Sequence, residues 1–290
     1  MSKTKTQDQE QQQQATLDPA LTQEPTAVAT APKSSQAMTQ YEETGFEGLT
    51  ATDFLIPFLA ILQKNRPQVE EGHAKYIPGA KAGMFLNTVT NEVFDGKVGV
   101  TVIPVMVVHS YLEWIPRDDG GGLQGVYDYN DPECVKISTA AGRKFGKLKI
   151  NDNNDLVETY NVFAIQVLPD GGTKKIVLGF SSSQIGEFKR WMTNASEQTK
   201  VRPDGSKGSR PLWSHRYRLS TVFAQNKKGT WYKFHAAFDG ANADAARYDE
   251  ADPLQREAKD FLALLREGNA KADYSSAQQD TTAEEPEYAM

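Results

Sequence analysis

The stretch from Val98 to Tyr111 constrains this fold more than any other part of the chain. It is a nearly continuous run of Val, Ile, Thr and Met, broken by Gly99, Thr101 and Pro104. A surface strand alternates apolar and polar residues, whereas an unbroken β-branched run fits a strand buried on both faces. Such a strand needs partners on both edges and a cover over each face. The run is too short for a membrane span, which takes about 18 or more consecutive apolar residues.

The flanking sequence supplies partners of the same kind. Phe85 to Phe94 reads as a strand rich in Thr and Val. Leu156 to Leu168 and Thr173 to Phe180 flank Pro169-Asp170-Gly171-Gly172, a strong hairpin signal. Leu212 to Gln225, a turn at Asn226 to Gly229, and Thr230 to Phe238 form a second hairpin. Helical patterns lie only at the flanks. Thr52 and Asp53 are placed to cap a helix over Phe54 to Gln63, with Pro57 near its first turn and Asn65-Arg66-Pro67 ending it. Ser183 to Asn194 puts Ile185, Phe188 and Met192 on one face, and Asp252-Pro253 opens a helix to Glu267 with Leu254, Phe261, Leu262 and Leu265 in its stripe. Asp118 to Gly122 and residues 196–211 read as loops.

Six or seven strands without a helix between most of them exclude a doubly wound nucleotide-binding fold and predict a mainly β, β-rich α+β core over residues 46–271. Residues 1–45, rich in Gln, Thr, Ala, Pro and Glu, and the acidic residues 272–290 are expected to be disordered, because they carry too little apolar surface to offset ordering entropy. Met1 to Gln14 has no apolar core of the kind a secretory signal needs. With a single cysteine, Cys134, no internal disulfide can form, which fits a reducing cytoplasmic setting.

Charge is segregated along the chain. The net formal charge is −6, yet residues 181–240 hold eleven Lys and Arg against four Asp and Glu. Strand geometry organises this block, because side chains alternate faces. Turning Tyr217, Leu219, Tyr232, Phe234 and Phe238 inward leaves Arg216, Arg218, Trp231, Lys233 and His235 on a common outer face. Lys227 and Lys228 fall at the hairpin tip; Lys200, Arg202, Lys207 and Arg210 in the preceding loop; and Lys189, Arg190 and Trp191 on the short helix. Cations for phosphates and rings for bases are what single-stranded nucleic acid requires, with a stacked base contributing roughly 1–3 kcal/mol. The C-terminal residues Glu284, Glu285 and Glu287 beside Tyr288 form an acidic tail that could compete for the basic surface or recruit partners.

The Arg216/Arg218/Trp231/Lys233 hairpin together with the Glu284-Glu285-Pro286-Glu287-Tyr288 ending resembles, in layout over residues 82–290, the replicative single-stranded DNA-binding proteins of bacteriophages. This tail ends in Ala289-Met290, where such tails often end in Phe. The segment Pro78 to Phe85 is also similar to uncharacterised phage proteins. The resemblance implies a single OB-like antiparallel barrel, sequence-tolerant binding of single-stranded DNA during replication and recombination, and replication or recombination proteins as partners of the tail. RNA as a ligand and self-association stay open.

Other chemistry is sparsely represented. No Gly-x-x-x-x-Gly-Lys-Ser/Thr loop occurs, and Pro203-Asp204-Gly205 is a turn rather than a nucleotidyl-transfer motif. The histidines 73, 109, 215 and 235 are scattered, so neither a metal nor another cofactor is expected. Two alternatives remain: a phage structural or accessory module that docks an acidic protein on the basic hairpin, and a metal-dependent nuclease using Asp118, Asp119, Asp152, Asp155 or Glu158.

Overall fold

The structure, a computed structural model, describes residues 45–46, 48–116, 119–141, 148–151, 153–227, 229–268, 270 and 272–274. The expected arm, Lys228 and the tail residues Glu284, Glu285, Glu287 and Tyr288 lie outside them. The elements are β1 (Leu59–Ile61), β2 (Phe85–Asn87), β3 (Val93–Phe94), β4 (Val100–Trp114), β5 (Leu123–Asp128), α1 (Pro132–Ala141), β6 (Leu148–Ile150), β7 (Asn154–Val167), β8 (Thr173–Ser181), α2 (Ile185–Ser196), β9 (Thr199–Val201), β10 (Lys207–Ser209), β11 (Tyr217–Asn226), β12 (Gly229–Phe238) and α3 (Pro253–Arg266).

The apolar run is the central strand. β4 pairs antiparallel with β7 from Thr101↔Val167 to Trp114↔Asp155. On its other edge, its first residues pair with β11 and its last with β5. β7 likewise pairs with β8 along one half and with β6 at the other. The result is one long two-stranded spine carrying different flanking strands at its two ends. Pro104, which lacks an N–H, sits where the register shifts between Pro104 and Met106; a bulge is the place in an interior strand that tolerates proline. The extra residue reverses the alternation. Val100, Val102 and Val107 face one core, while Ile103, Val105 and Met106 face the other.

Each face has its own cover. On one, Val102, Val162, Ala164, Ile176, Leu178, Tyr217, Leu219 and Phe234 pack with Phe188 and Trp191 of α2 and with Leu59, Ile61 and Phe85 of β1 and β2. On the other, Ile103, Val105, Phe163, Ile165 and Val177 pack against Ala258, Phe261, Leu262 and Leu265 of α3. The α3 stripe and its Asp252 cap, which accepts from the Leu254 N–H at 2.8 Å, follow the sequence expectation.

Two expected elements are corrected. Phe85 to Phe94 is not one strand but two short ones, β2 and β3, paired antiparallel through the turn between them. No helix forms over 54–63. Thr50 caps one short turn, Ala51–Asp53, and the chain then runs extended. Ile56 precedes a proline, which disfavours helical backbone there, and the Pro57 carbonyl accepts the Val177 N–H at 2.9 Å, so pairing beside β8 wins. Among the described residues the strands do not close into the expected OB-like barrel. The pairings among the described residues leave β8 and β12 unjoined, although Phe180 of β8 meets Phe234 of β12 with centroids 5.0 Å apart. The gap is bridged by β1 and by side chains. Gln63 exchanges two hydrogen bonds with the Tyr232 backbone, and Gln184 accepts from the Phe234 N–H at 3.0 Å. These amides occupy the ribbon's free edge, where another strand would otherwise add. What the structure shows is a β-rich α+β fold built on antiparallel sheets.

At the far end of the spine, α1 and β6 close a small third core around Tyr111, Cys134, Ile150 and Leu156. Neither β5 nor α1 is marked by a strong local pattern. Burial pushes the Cys134 thiol up to about 12. Beside this core Glu113, 1% exposed, accepts from Tyr127 Oη at 2.5 Å, Asn154 Nδ2 at 2.5 Å and Asn151 Nδ2 at 3.0 Å. Burial pushes the Glu113 carboxyl up, but these bonds outweigh it and hold it below the ordinary value, while Tyr127 is pushed up to about 12.

A group with a depressed folded value stabilises the fold above its unfolded value and loses that contribution as pH falls through the folded one. Glu113→Gln should cost about 1–3 kcal/mol at neutral pH, because it removes the charge the three donors stabilise and turns the oxygen that accepts from Tyr127 into an NH2. It should also flatten the loss of thermal stability on acidification. An acid unfolding profile unchanged by the substitution contradicts the assignment.

Candidate nucleic-acid interface

The register of the β11–β12 hairpin decides which of the basic and aromatic side chains share a surface. Arg218 pairs with Ala237, Ser220 with His235, Val222 with Lys233 and Ala224 with Trp231. Arg218, Trp231, Lys233 and His235 therefore lie on one face, with Lys227 at the tip. The inward positions Tyr217, Leu219 and Phe234 are buried. Phe223 is an inward position that overhangs the core; it is 53% exposed and meets Tyr232 edge to face at 5.7 Å.

Most of the guanidinium and ammonium groups are engaged locally. Arg218 is bound by Asp239 (Nη2 to Oδ1, 3.1 Å), which also accepts from Thr101 Oγ1 at 2.6 Å. Glu187 of α2 sits between Arg190 at 2.6 Å and Lys233 at 3.4 Å. Burial works against its charge, but the hydrogen bond and charge of Arg190, with Lys233, hold its carboxyl below the usual range. Lys200 meets Glu250 at 2.9 Å. Arg202 lies across Gly208, and Arg210 donates to the Thr199 carbonyl at 3.1 Å; together they brace the β9–β10 hairpin that forms within the expected polar loop. Lys189, Lys207, Lys227 and His235 enter no ion pair among the described residues.

Two members of the expected set play other parts. Trp191 is 2% exposed and packs between Phe180 and Tyr217, because the buried face of α2 includes position 191 along with Phe188. It cannot stack a base without unfolding the helix from the sheet. Arg216 precedes β11 and turns back. Its Nε donates to the Asp239 carbonyl at 2.9 Å, Nη2 to the Ala245 carbonyl at 3.3 Å, and its guanidinium lies over the Tyr248 ring. It clamps the 239–248 loop rather than joining the outer row. Trp231 is half-buried, with its indole N–H enclosed.

The described acids of the loops are engaged with other partners. Asp155 pairs with Lys149 at 2.8 Å, Glu158 with His109 at 2.9 Å, and Asp119 accepts from Asn153 at 3.1 Å. Among the described residues no three His, Cys, Asp or Glu side chains group as ligands; Asp118 and Asp152 lie outside them. The Ser214 hydroxyl lies 2.8 Å from His215 Nδ1, but both side chains are buried.

Sequence reading missed two features. Tyr129, His109, Tyr160 and Phe188 form a stacked column, at centroid distances of 5.1, 4.1 and 4.3 Å, which walls the α2-covered core from the far-end core. Only cross-strand register could have revealed it. The second is a groove of about 480 Å³ lined by Lys64, Tyr76, Lys81 and the Gly79–Ala82 turn. Its one sequence signal was the Pro78 to Phe85 segment.

Residues 24–271 match the family described as "Pam3 phage gp34-like protein". Neither a curated protein nor a solved structure matches the chain.

Trp191→Ala should cost about 3–5 kcal/mol of stability as a core truncation. In chemical unfolding, a loss comparable to that of an exposed residue would contradict its burial. Arg216→Ala should accelerate amide exchange in residues 239–248 and leave the β4–β7 ladder protected; uniform acceleration, or none, would contradict the clamp.

Proposed function

The chain belongs to the Pam3 phage gp34-like family, and we propose that it is a non-enzymatic, phage-encoded binder of single-stranded nucleic acid, DNA in the first place. The binding surface is the outer face of β11–β12. Bases stack on the half-buried Trp231 and on His235, and phosphates meet Arg218, Lys233 and Lys227, extended by Lys189 and Arg190 on α2 and by Lys207. The observation that supports this reading is the strand register, which puts Arg218, Trp231, Lys233 and His235 in one row. An OB-like barrel is not needed for it. The work is done by a two-stranded ribbon whose free edge is covered by Gln63 and Gln184.

The local acids set the character of the binding. A phosphate must share Arg218 with Asp239, and Arg190 and Lys233 with Glu187. Surface ion pairs contribute little, about 0–1 kcal/mol, so a phosphate can replace the acid at small cost. The contacts are electrostatic and tolerant of sequence rather than a set of fixed bidentate readouts.

The acidic tail, through Glu284, Glu285, Glu287 and Tyr288, competes for this face or hands the protein to replication and recombination partners in the host cytoplasm. None of the described helices is long and apolar enough to cross a membrane. The core extends further than residue 271. The Asp273 N–H donates to the Ile56 carbonyl at 3.0 Å, and Asn161 Nδ2 donates to Tyr274 Oη at 2.8 Å. A tail truncation should therefore begin after Tyr274.

A second reading, an accessory module that docks an acidic protein, draws on the exposed Val222 and Phe223 beside the cations.

A mobility-shift assay with labelled oligonucleotides, with and without a divalent ion, separates these readings. A shift without cleavage is expected. With about four phosphates neutralised, log affinity should fall against log salt with a slope near −3. Removing residues 275–290 should tighten binding. No shift would leave the accessory reading, and ion-dependent cleavage would favour a nuclease.

A further inference from the structure

The groove beside the ribbon has what a nucleotide unit needs. Its volume of about 480 Å³ falls within the ~300–1,000 Å³ range of small-ligand sites. Two ammonium groups, Lys64 and Lys81, stand at its wall with the Tyr76 ring and the Glu71 carboxylate, and Tyr76 Oη lies 3.4 Å from that carboxylate. Neither lysine forms an ion pair among the described residues. Lys64 Nζ instead reaches Thr230 Oγ1 at 3.3 Å, three residues from Lys227 at the ribbon tip. The cations of the groove and of the tip therefore lie along one edge of β12.

The backbone keeps this groove open by design of its turns. Pro78-Gly79-Ala80-Lys81-Ala82-Gly83 reverses direction twice, with φ of +83° at Gly79 and +90° at Gly83. Small side chains at 79, 80 and 82 leave the space unfilled, and a Cβ at Gly79 would meet nothing within 4 Å. Gly83 fixes the turn against the ribbon. The Tyr232 ring lies where a Cβ at 83 would be, 2.6 Å from it, and the Gly83 carbonyl accepts from Thr221 Oγ1 at 2.7 Å. On the other side Leu62, Ala80 and Leu86 form a small buried cluster that seats the turn. The turn that lines the groove is thus packed directly against the ribbon.

We propose that this groove is a nucleotide subsite, in which Lys64 and Lys81 hold a phosphate and the Tyr76 ring faces the base of a strand that passes over the β12 edge from the outer face. This deepens the single-strand reading and rests on it for the path of the chain, though a lone nucleotide would fit the same chemistry. Glu71 sets a polarity on the site: its charge disfavours a second phosphate at the Tyr76 end, so the phosphate lies toward Lys64 and Lys81.

The test uses the full chain and two probes, an oligothymidylate of about 20 nucleotides, long enough to exceed one binding site, and thymidine monophosphate. Lys64→Ala with Lys81→Ala should weaken oligothymidylate binding about three- to tenfold and make the salt slope shallower by about 1.4, for two lost phosphate contacts. Lys64→Arg with Lys81→Arg should restore the slope, which a merely destabilised fold would not do. Wild-type binding matched in affinity and slope by the double Ala variant overturns the subsite and leaves the ribbon reading intact. If the wild type ignores oligothymidylate but binds thymidine monophosphate, and the Ala variant does not, the ribbon reading fails and the groove stands alone. If neither probe binds the wild type, both are overturned.

Discussion

The fold depends on the antiparallel ladder between β4 and β7. It runs unbroken in partner from Thr101↔Val167 to Trp114↔Asp155, and β5, β6, β8 and β11 each attach to one of these two, while β12 attaches through β11. Both of its faces are buried, so its side chains are the shared floor of two cores. The bulge at Pro104–Met106 divides the labour. It releases the proline from a hydrogen bond it cannot make and reverses the alternation, so that Val105 and Met106 join the α3 side while Val107 returns to the α2 side. The β11–β12 ribbon is joined to this spine by only three register pairs, Val100 to Val102. It therefore projects past the sheet, and its far half is held by Gln63, Gln184 and the Gly83 turn instead.

That construction accounts for how the basic block is used. Eleven cations in sixty residues look, in one dimension, like an open phosphate track. In three dimensions several of them hold the loops that frame the ribbon. Arg216 clamps the 239–248 loop, Arg210 and Arg202 brace β9–β10, and Arg190 and Lys233 share Glu187 where α2 meets the ribbon edge. A long cationic side chain near an irregular connection readily satisfies its carbonyls and carboxylates. The set of cations free of local partners is thus smaller than the sequence count suggests.

The sequence made the spine and both hairpins legible, because period-two patterning and Gly-rich turns act locally. It also made α3 legible, through its Asp252-Pro253 start and its apolar stripe. The 54–63 segment was misread because an apolar run of that length is ambiguous. Tertiary pairing of Pro57 with Val177 decided it, and no local signal reports such a pairing. The outer row of the ribbon could be read from pleat alternation, since register within a tight hairpin is fixed by its turn. What could not be read was which cations would meet acids. Glu187 and Glu250 reach Lys233 and Lys200 through packing of separate elements, and Trp191 lies one helical turn from Phe188, close enough to the core face to be drawn in.

The central claim is that a single strand of nucleic acid lies on the outer face of β11–β12. Photocrosslinking of the full chain to a bromodeoxyuridine oligonucleotide, with peptide mapping of the adducts, tests it most directly. Adducts on the β12 peptide that carries Trp231 and His235 are the predicted result. Adducts confined to the far end of the spine, on β5 or α1, or none at all, would contradict it.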